Sequence, residues 1–142
     1  MGKIVIDTNI FVSALMNTNG APRQIIRLAL LGEITPLMGN ALLSEYEDVV
    51  SREDILTKCI LNKDEIRDLL NAFYASCEWI SVYFLWRPNL RDEADNHLIE
   101  LALAGGTNTI ISANKQDFKH SDLSFPDLNI RNAGEFLNER SL

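Results

Sequence analysis

Short apolar runs alternate along this chain with stretches of helical period, and that alternation restricts the fold more than any other feature of the sequence. Lys3 to Ile6 is a short apolar run suited to a buried strand, and residues 9–16 (NIFVSALM) follow as a helix. Asn17, Asn19 and Gly20 break the chain. Pro22 fits a first helical turn, where its missing N–H has no intrahelical partner to lose, and Gly32 supplies a C-terminal cap after Ile25, Ile26, Leu28 and Ala29. Ile34 to Met38 reads as a second strand, Gly39-Asn40 opens a helix over 41–51, and 53–59 form a weaker one. Asn62 caps a longer helix over about 63–77. Trp79 to Phe84 is extended or a strand, and Pro88 makes 85–91 a loop. Residues 92–104 form a strong helix closed by Gly105-Gly106. Thr109 to Ile111 reads as a central strand, Asn129 to Arg131 as a last short one, and 132–139 as a closing helix. Strands alternating with helices predict a mostly parallel sheet covered on both faces and joined by right-handed crossovers. Ligands of such sheets gather at the carboxyl ends of the strands.

A chain of 142 residues suits one domain, residues 1–142, and a domain of that size buries roughly 70% of its unfolded surface. A hydrophobic share of 46% argues against disorder. No apolar run approaches the ~20 residues of a membrane helix, which predicts no membrane partner. The start, MGKIVID, reaches an acid at position 7, too early for the apolar stretch of a signal peptide. Cys59 and Cys77 have neither CxxC spacing nor a Cys/His ligand set around them, which speaks against zinc and fits the reducing cytoplasm. A net charge of −7 argues against holding nucleic acid by bulk attraction alone, but leaves room for an enzyme that concentrates carboxylates around a metal.

Asp7 follows Ile4-Val5-Ile6 directly, so it sits at a strand's carboxyl end, either as a helix N-cap or as a site residue. Asp95 shares a helical face with Leu98, Ile99 and Ala102. A carboxylate on a buried face must be protonated, paired or bound to a cation; the alternative is a first-turn acid that reaches solvent and complements the helix dipole. On the 41–51 helix, Leu42, Leu43, Tyr46, Val49 and Val50 define the apolar face, and Glu45 and Glu47 flank its centre at similar angles. Periodicity does not choose between them. After Thr109-Ile110-Ile111 come Ser112, Asn114 and Asp117, which suit an ordinary turn as well as a site. In a parallel sheet, strand ends and helix beginnings share one edge, so Asp7, Glu45, Asp95 and Asp117 can face one cleft. Crowded like charges repel, and a divalent cation relieves them. Hard oxygen ligands favour Mg²⁺ or Mn²⁺.

In block order, these segments resemble the PIN-domain family over nearly the whole chain. KIVIDTNIFVSAL resembles its opening, and GAPRQIIRLALLG the next helix of a bacterial branch regarded as toxins of toxin–antitoxin pairs. LLSEYEDVVSR resembles the second acidic helix and aligns Glu45 with the family's acid. RDEADNHLIELALAGG aligns Asp95, NTIISANKQDF aligns Ser112 and Asp117, and NIRNAGEFL resembles the closing strand and helix. The resemblance implies a Rossmann-like three-layer sandwich with a mostly parallel central sheet. It implies a divalent-metal-dependent endoribonuclease with one or two Mg²⁺ or Mn²⁺ ions, held by Asp7, Glu45, Asp95 and Asp117. Thr8, Asn9, Ser112 and Asn114 would orient those ligands. Many relatives carry an acid where this chain has Asn114; an amide can ligate through its carbonyl but adds no charge. Asp92 and Glu93 are further candidate ligands. The resemblance also implies an antitoxin partner and a homodimer.

Arg23 and Arg27 share a helix face, and Lys115 and Lys119 flank Asp117; these four could contact RNA phosphates or form an ordinary solvated surface. Trp79, Tyr83, Phe84 and Trp86 could stack bases or fill a core or subunit interface. His97 and His120 read as surface residues. Two other functions compete. One is a degenerate PIN-like module that binds RNA or protein without catalysis. The other is a phosphotransferase of the haloacid dehalogenase type with Asp7 as nucleophile, which wants a second acid where this chain has Asn9.

Overall fold

The computed structural model describes residues 2–17, 19–81, 93–114 and 127–140, with side chains from residue 97 onward in the third of these stretches. Five strands carry the fold: β1 (Gly2–Ile6), β2 (Ile34–Met38), β3 (Glu78–Trp79), β4 (Thr109–Ile111) and β5 (Asn129–Arg131). Seven helices are described around them: α1 (Thr8–Met16), α2 (Ala21–Leu30), α3 (Asn40–Val50), α4 (Glu53–Lys58), α5 (Lys63–Ser76), α6 (Glu93–Gly105) and α7 (Ala133–Arg140). The strands form one sheet in the order β3-β2-β1-β4-β5. Every pair is parallel, with Ile4 opposite Pro36, Ile6 opposite Ile111, and Ile110 opposite Ile130.

Successive strand residues point to opposite faces, yet Ile4, Val5 and Ile6 are all buried, as are Ile110 and Ile111. Both faces of the central strands are therefore covered, the condition under which an all-parallel sheet is stable. Helix α2 packs on α1, α5 and α7, whereas α6 lies against β1, β2 and β4. The approach of α6 to β2 is close: a Cβ added at Gly105 would lie 2.3 Å from Leu37 Cδ1.

The local punctuation follows from particular residues. After α2, Gly32 takes φ +78°, and the amides of Gly32 and Glu33 return to the carbonyls of Ala29 and Leu28. Asn62 and Glu65 form a reciprocal capping box at the start of α5. The expected extended run from Trp79 is a strand only at Glu78–Trp79 within the described residues. The expected loop 85–91, with Tyr83, Phe84, Trp86 and Asp92, lies outside them, as do Lys115, Asp117, Lys119 and His120. Glu93 and Asp95 are placed on α6, but their side chains are outside the described set.

Candidate functional site

The chain winds from β1 outward to β2 and β3, then returns to the other side of β1 for β4 and β5. The strand order reverses between β1 and β4, and sheets of this kind form their ligand crevice at such a point, beyond the strands' carboxyl ends. Asp7 follows β1 and Ser112 follows β4, so both stand at its floor. The amide of Asp7 donates to the Ile111 carbonyl at 2.9 Å, which fixes the two strand ends side by side. From the other flank, Tyr46 of α3 donates its hydroxyl to the Ile6 carbonyl at 2.7 Å. That bond satisfies two buried groups one residue before Asp7. Tyr46→Phe leaves the carbonyl without this donor, with an expected cost of about 1–3 kcal/mol in chemical denaturation.

Asp7 occupies the N-cap position of α1 but makes no side-chain capping bond. Its carboxylate is committed instead to the crevice. Oδ2 accepts from Ser112 Oγ at 2.8 Å and from Asn9 Nδ2 at 3.3 Å. Asn9 is itself held by the Ala113 amide, which donates to its Oδ1 at 3.1 Å, and the Asn114 amide donates to Ser112 Oγ at 3.1 Å. Asn114 thus enters the network through its backbone, while its side chain belongs to an exposed residue. Asp7 is only 6% exposed. Burial pushes its carboxyl above the usual carboxylate range, the Ser112 hydroxyl opposes that, and the nearby Glu45 charge reinforces it.

Glu45 arrives from the second turn of α3. The Thr8 hydroxyl lies 3.5 Å from Asp7 Oδ1 and 3.4 Å from Glu45 Oε1, so two carboxylates meet at one hydroxyl. The other oxygen, Oε2, lies 2.5 Å from His97 Nε2 of α6. Glu47 goes elsewhere. Arg67 donates to both of its oxygens, at 2.7 and 3.1 Å, and the Tyr74 hydroxyl donates at 2.6 Å. The Arg67 bonds hold the Glu47 carboxyl below the usual range. The two acids that periodicity left equivalent are therefore separated by their partners: one faces the crevice, the other braces α3 against α5.

The expectation for His97 needs correction. Its side chain is 11% exposed and sits between α6 and α3. Leu98, Ile99, Glu100, Leu101 and Ala102 are all buried, so α6 is enclosed around its full circumference and has no solvent face at this level. A sequence signal existed: Leu101 is four residues on, about 40° away at roughly 100° per residue.

Asp7, Thr8, Asn9, Glu45, Ser112 and the Asn114 backbone thus share one hydrogen-bonded network. Neither Asp7 nor Glu45 has an Arg or Lys partner among the described residues. Among these residues no three His, Cys, Asp or Glu side chains group closely enough to hold a metal; the Asp95 side chain and Asp117 lie outside them. Arg27 is exposed and lines a surface depression with Gln24, Leu28, Leu137 and Arg140, while Arg23 is half-buried on the same helix. Trp79 is half exposed, its indole N–H donating to the Tyr74 carbonyl at 3.1 Å.

Comparison with known proteins gives three findings. The profile of the PIN domain family matches residues 3–116. An uncharacterized protein of Methanocaldococcus jannaschii is 30% identical over 148 aligned positions, spanning 96% of this chain and 90% of the relative. A chain from the crystal structure of VapBC2 of Rickettsia felis, bound to a DNA fragment from their promoter, superposes with a TM-score of 0.63. That match covers 92% of this chain and 98% of the other at 19% identity, a likeness of fold.

Proposed function

Because the chain belongs to the PIN-domain family, a family of nucleases, we propose that it is a divalent-metal-dependent endoribonuclease hydrolysing RNA phosphodiester bonds. The observation that carries this reading is the meeting of Asp7 and Glu45 at the Thr8 hydroxyl, with burial working against the charge on Asp7. Two hard-oxygen donors without a lysine or arginine partner among the described residues fit Mg²⁺ or Mn²⁺, one ion or two. Asp7 and Glu45 would hold the metal, with Asp95 from α6 and Asp117 from the segment after β4. When bound, the ion supplies an activated water and neutralises charge that develops on the phosphate.

The chain's own residues prepare that site. Ser112 and Asn9 saturate Oδ2 of Asp7, which turns Oδ1 toward Thr8 and Glu45. Thr8 sets the spacing of the two carboxylates. Ala113 and Asn114 lock Asn9 and Ser112 through backbone amides, so the arrangement rests on the strand ends rather than on mobile side chains. Arg23, Arg27, Lys115 and Lys119 would contact RNA phosphates and offset the chain's net charge of −7.

The likeness of fold to a VapBC2 chain supports a place in a toxin–antitoxin pair, with an antitoxin protein as partner; the homodimer belongs to this reading only as what the family resemblance implies. Two free, half-buried cysteines suit a cytoplasmic setting. The purified chain is expected to cut RNA with Mn²⁺ or Mg²⁺ and to stop when EDTA is added. No cleavage with either ion would reject the reading.

One observation favours a second reading, a binding module without turnover. Glu45 already has a partner in His97, which lessens its need for a cation. That reading requires RNA or protein binding with no Mn²⁺ uptake in calorimetry.

A further inference from the structure

We infer that His97 is a positioning residue for Glu45, holding the carboxylate in the orientation in which it takes a divalent cation. The inference rests on the nuclease reading above and extends it to a residue on a different helix. Glu45 has two oxygens with separate duties. Oε1 faces Thr8 and Asp7 at 3.4 Å from the Thr8 hydroxyl, and Oε2 lies 2.5 Å from His97 Nε2. A carboxylate only accepts, so Nε2 is the donor of this contact. The other ring nitrogen, Nδ1, is buried and has no hydrogen-bond partner among the described residues, so the Glu45 contact is the one that orients the ring.

Free rotation of a glutamate side chain would otherwise scatter its oxygens over several rotamers. Thr8 alone is a weak restraint, at a long hydrogen-bond distance shared with Asp7. His97 adds a second, shorter restraint from a ring that the burial of α6 holds in place. The same contact spans α3 and α6. It therefore fixes the separation between the helix that carries Glu45 and the helix that carries Asp95. Partners behind metal ligands commonly govern affinity in this way. His97 also borders a cavity of about 190 Å³ with Gly39, Asn40, Leu42, Glu100 and Leu101, so a changed side chain has room to settle.

The test is Mn²⁺ titration by calorimetry on the wild type, His97→Leu, His97→Gln and both variants combined with Glu45→Gln. His97→Leu preserves packing without a donor, whereas His97→Gln retains an N–H. Mn²⁺ affinity is expected to fall about 10- to 100-fold in His97→Leu, to stay within about threefold of wild type in His97→Gln, and to be insensitive to position 97 once Glu45 is glutamine. The metal-free variants should melt as the wild type does. Unchanged affinity in His97→Leu, equal losses in both variants, or a loss that persists in the Glu45→Gln background would each overturn the inference. A wild type that cuts RNA and binds Mn²⁺ beside an unaffected His97→Leu would remove this inference alone. A wild type that binds no Mn²⁺ would remove the nuclease reading and the inference together.

Discussion

Asp7→Asn is expected to reduce metal-dependent RNA cleavage at least about 10²-fold, because the interactions a catalytic metal supplies amount to several kcal/mol and each 1.4 kcal/mol is a factor of ten. The fold should not suffer. Asn keeps the shape, and its carbonyl can still accept from Ser112 and Asn9. The stability should move the other way. Burial raises the Asp7 carboxyl above its unfolded value, so the folded state holds that proton more tightly than the unfolded chain does. Ionisation then works against folding: stability falls as pH rises from the ordinary carboxylate range through the raised value, and the loss persists at pH 7. An asparagine has no charge to bury. The metal-free variant should therefore melt above the metal-free wild type at pH 7, and at about the same temperature near pH 3, where both are neutral. Added Mn²⁺ should raise the wild-type melting temperature and leave the variant's unchanged. Scanning calorimetry at the two pH values, with and without Mn²⁺, separates these effects. A variant that still cuts RNA at the wild-type rate would dismiss Asp7 as a metal ligand.

Phe11→Ala carries the largest expected loss of stability, about 3–5 kcal/mol for removing a fully buried ring. Phe11 belongs to an aromatic cluster, 5.6 Å between ring centroids from both Tyr46 and Phe73, which themselves stack at 5.5 Å. All three rings are buried. Against a typical domain stability of roughly 5–15 kcal/mol, that loss leaves a marginal fold. It should appear as a lower denaturation midpoint with an unchanged slope. The damage also reaches the crevice. Phe11 belongs to α1, which begins at Thr8 beside Asp7, and Tyr46 is the residue that holds the Ile6 carbonyl. Phe11→Leu, which refills most of the space, should recover a large part of both stability and activity. A loss below about 1 kcal/mol in Phe11→Ala would mean that the cluster does not order this part of the core.

Much of the architecture was legible in the order of residues. Ile34–Met38, Thr109–Ile111 and Asn129–Arg131 are strands at the expected limits, because short apolar runs bounded by helix signals have few other ways to bury themselves. Asn62 with Glu65 and Gly32 at the end of α2 announce helix boundaries through local chemistry, which needs no partner from elsewhere in the chain. Alternation of the two periods was enough to imply a parallel sheet, and hence to place Asp7 and Ser112 at its carboxyl edge. What tertiary structure alone decided is which side chain meets which. Glu45 and Glu47 are equivalent on a helical wheel; Arg67 and Tyr74 from α5 claim one, and Thr8 from α1 with His97 from α6 claim the other. His97 looked solvated until α3 covered the remaining side of α6. Periodicity reports only how a segment divides apolar from polar around its own axis. The identity of the neighbour across that axis is fixed by contacts between distant parts of the chain, such as 45 with 97, and those exist only once the sheet has brought them together.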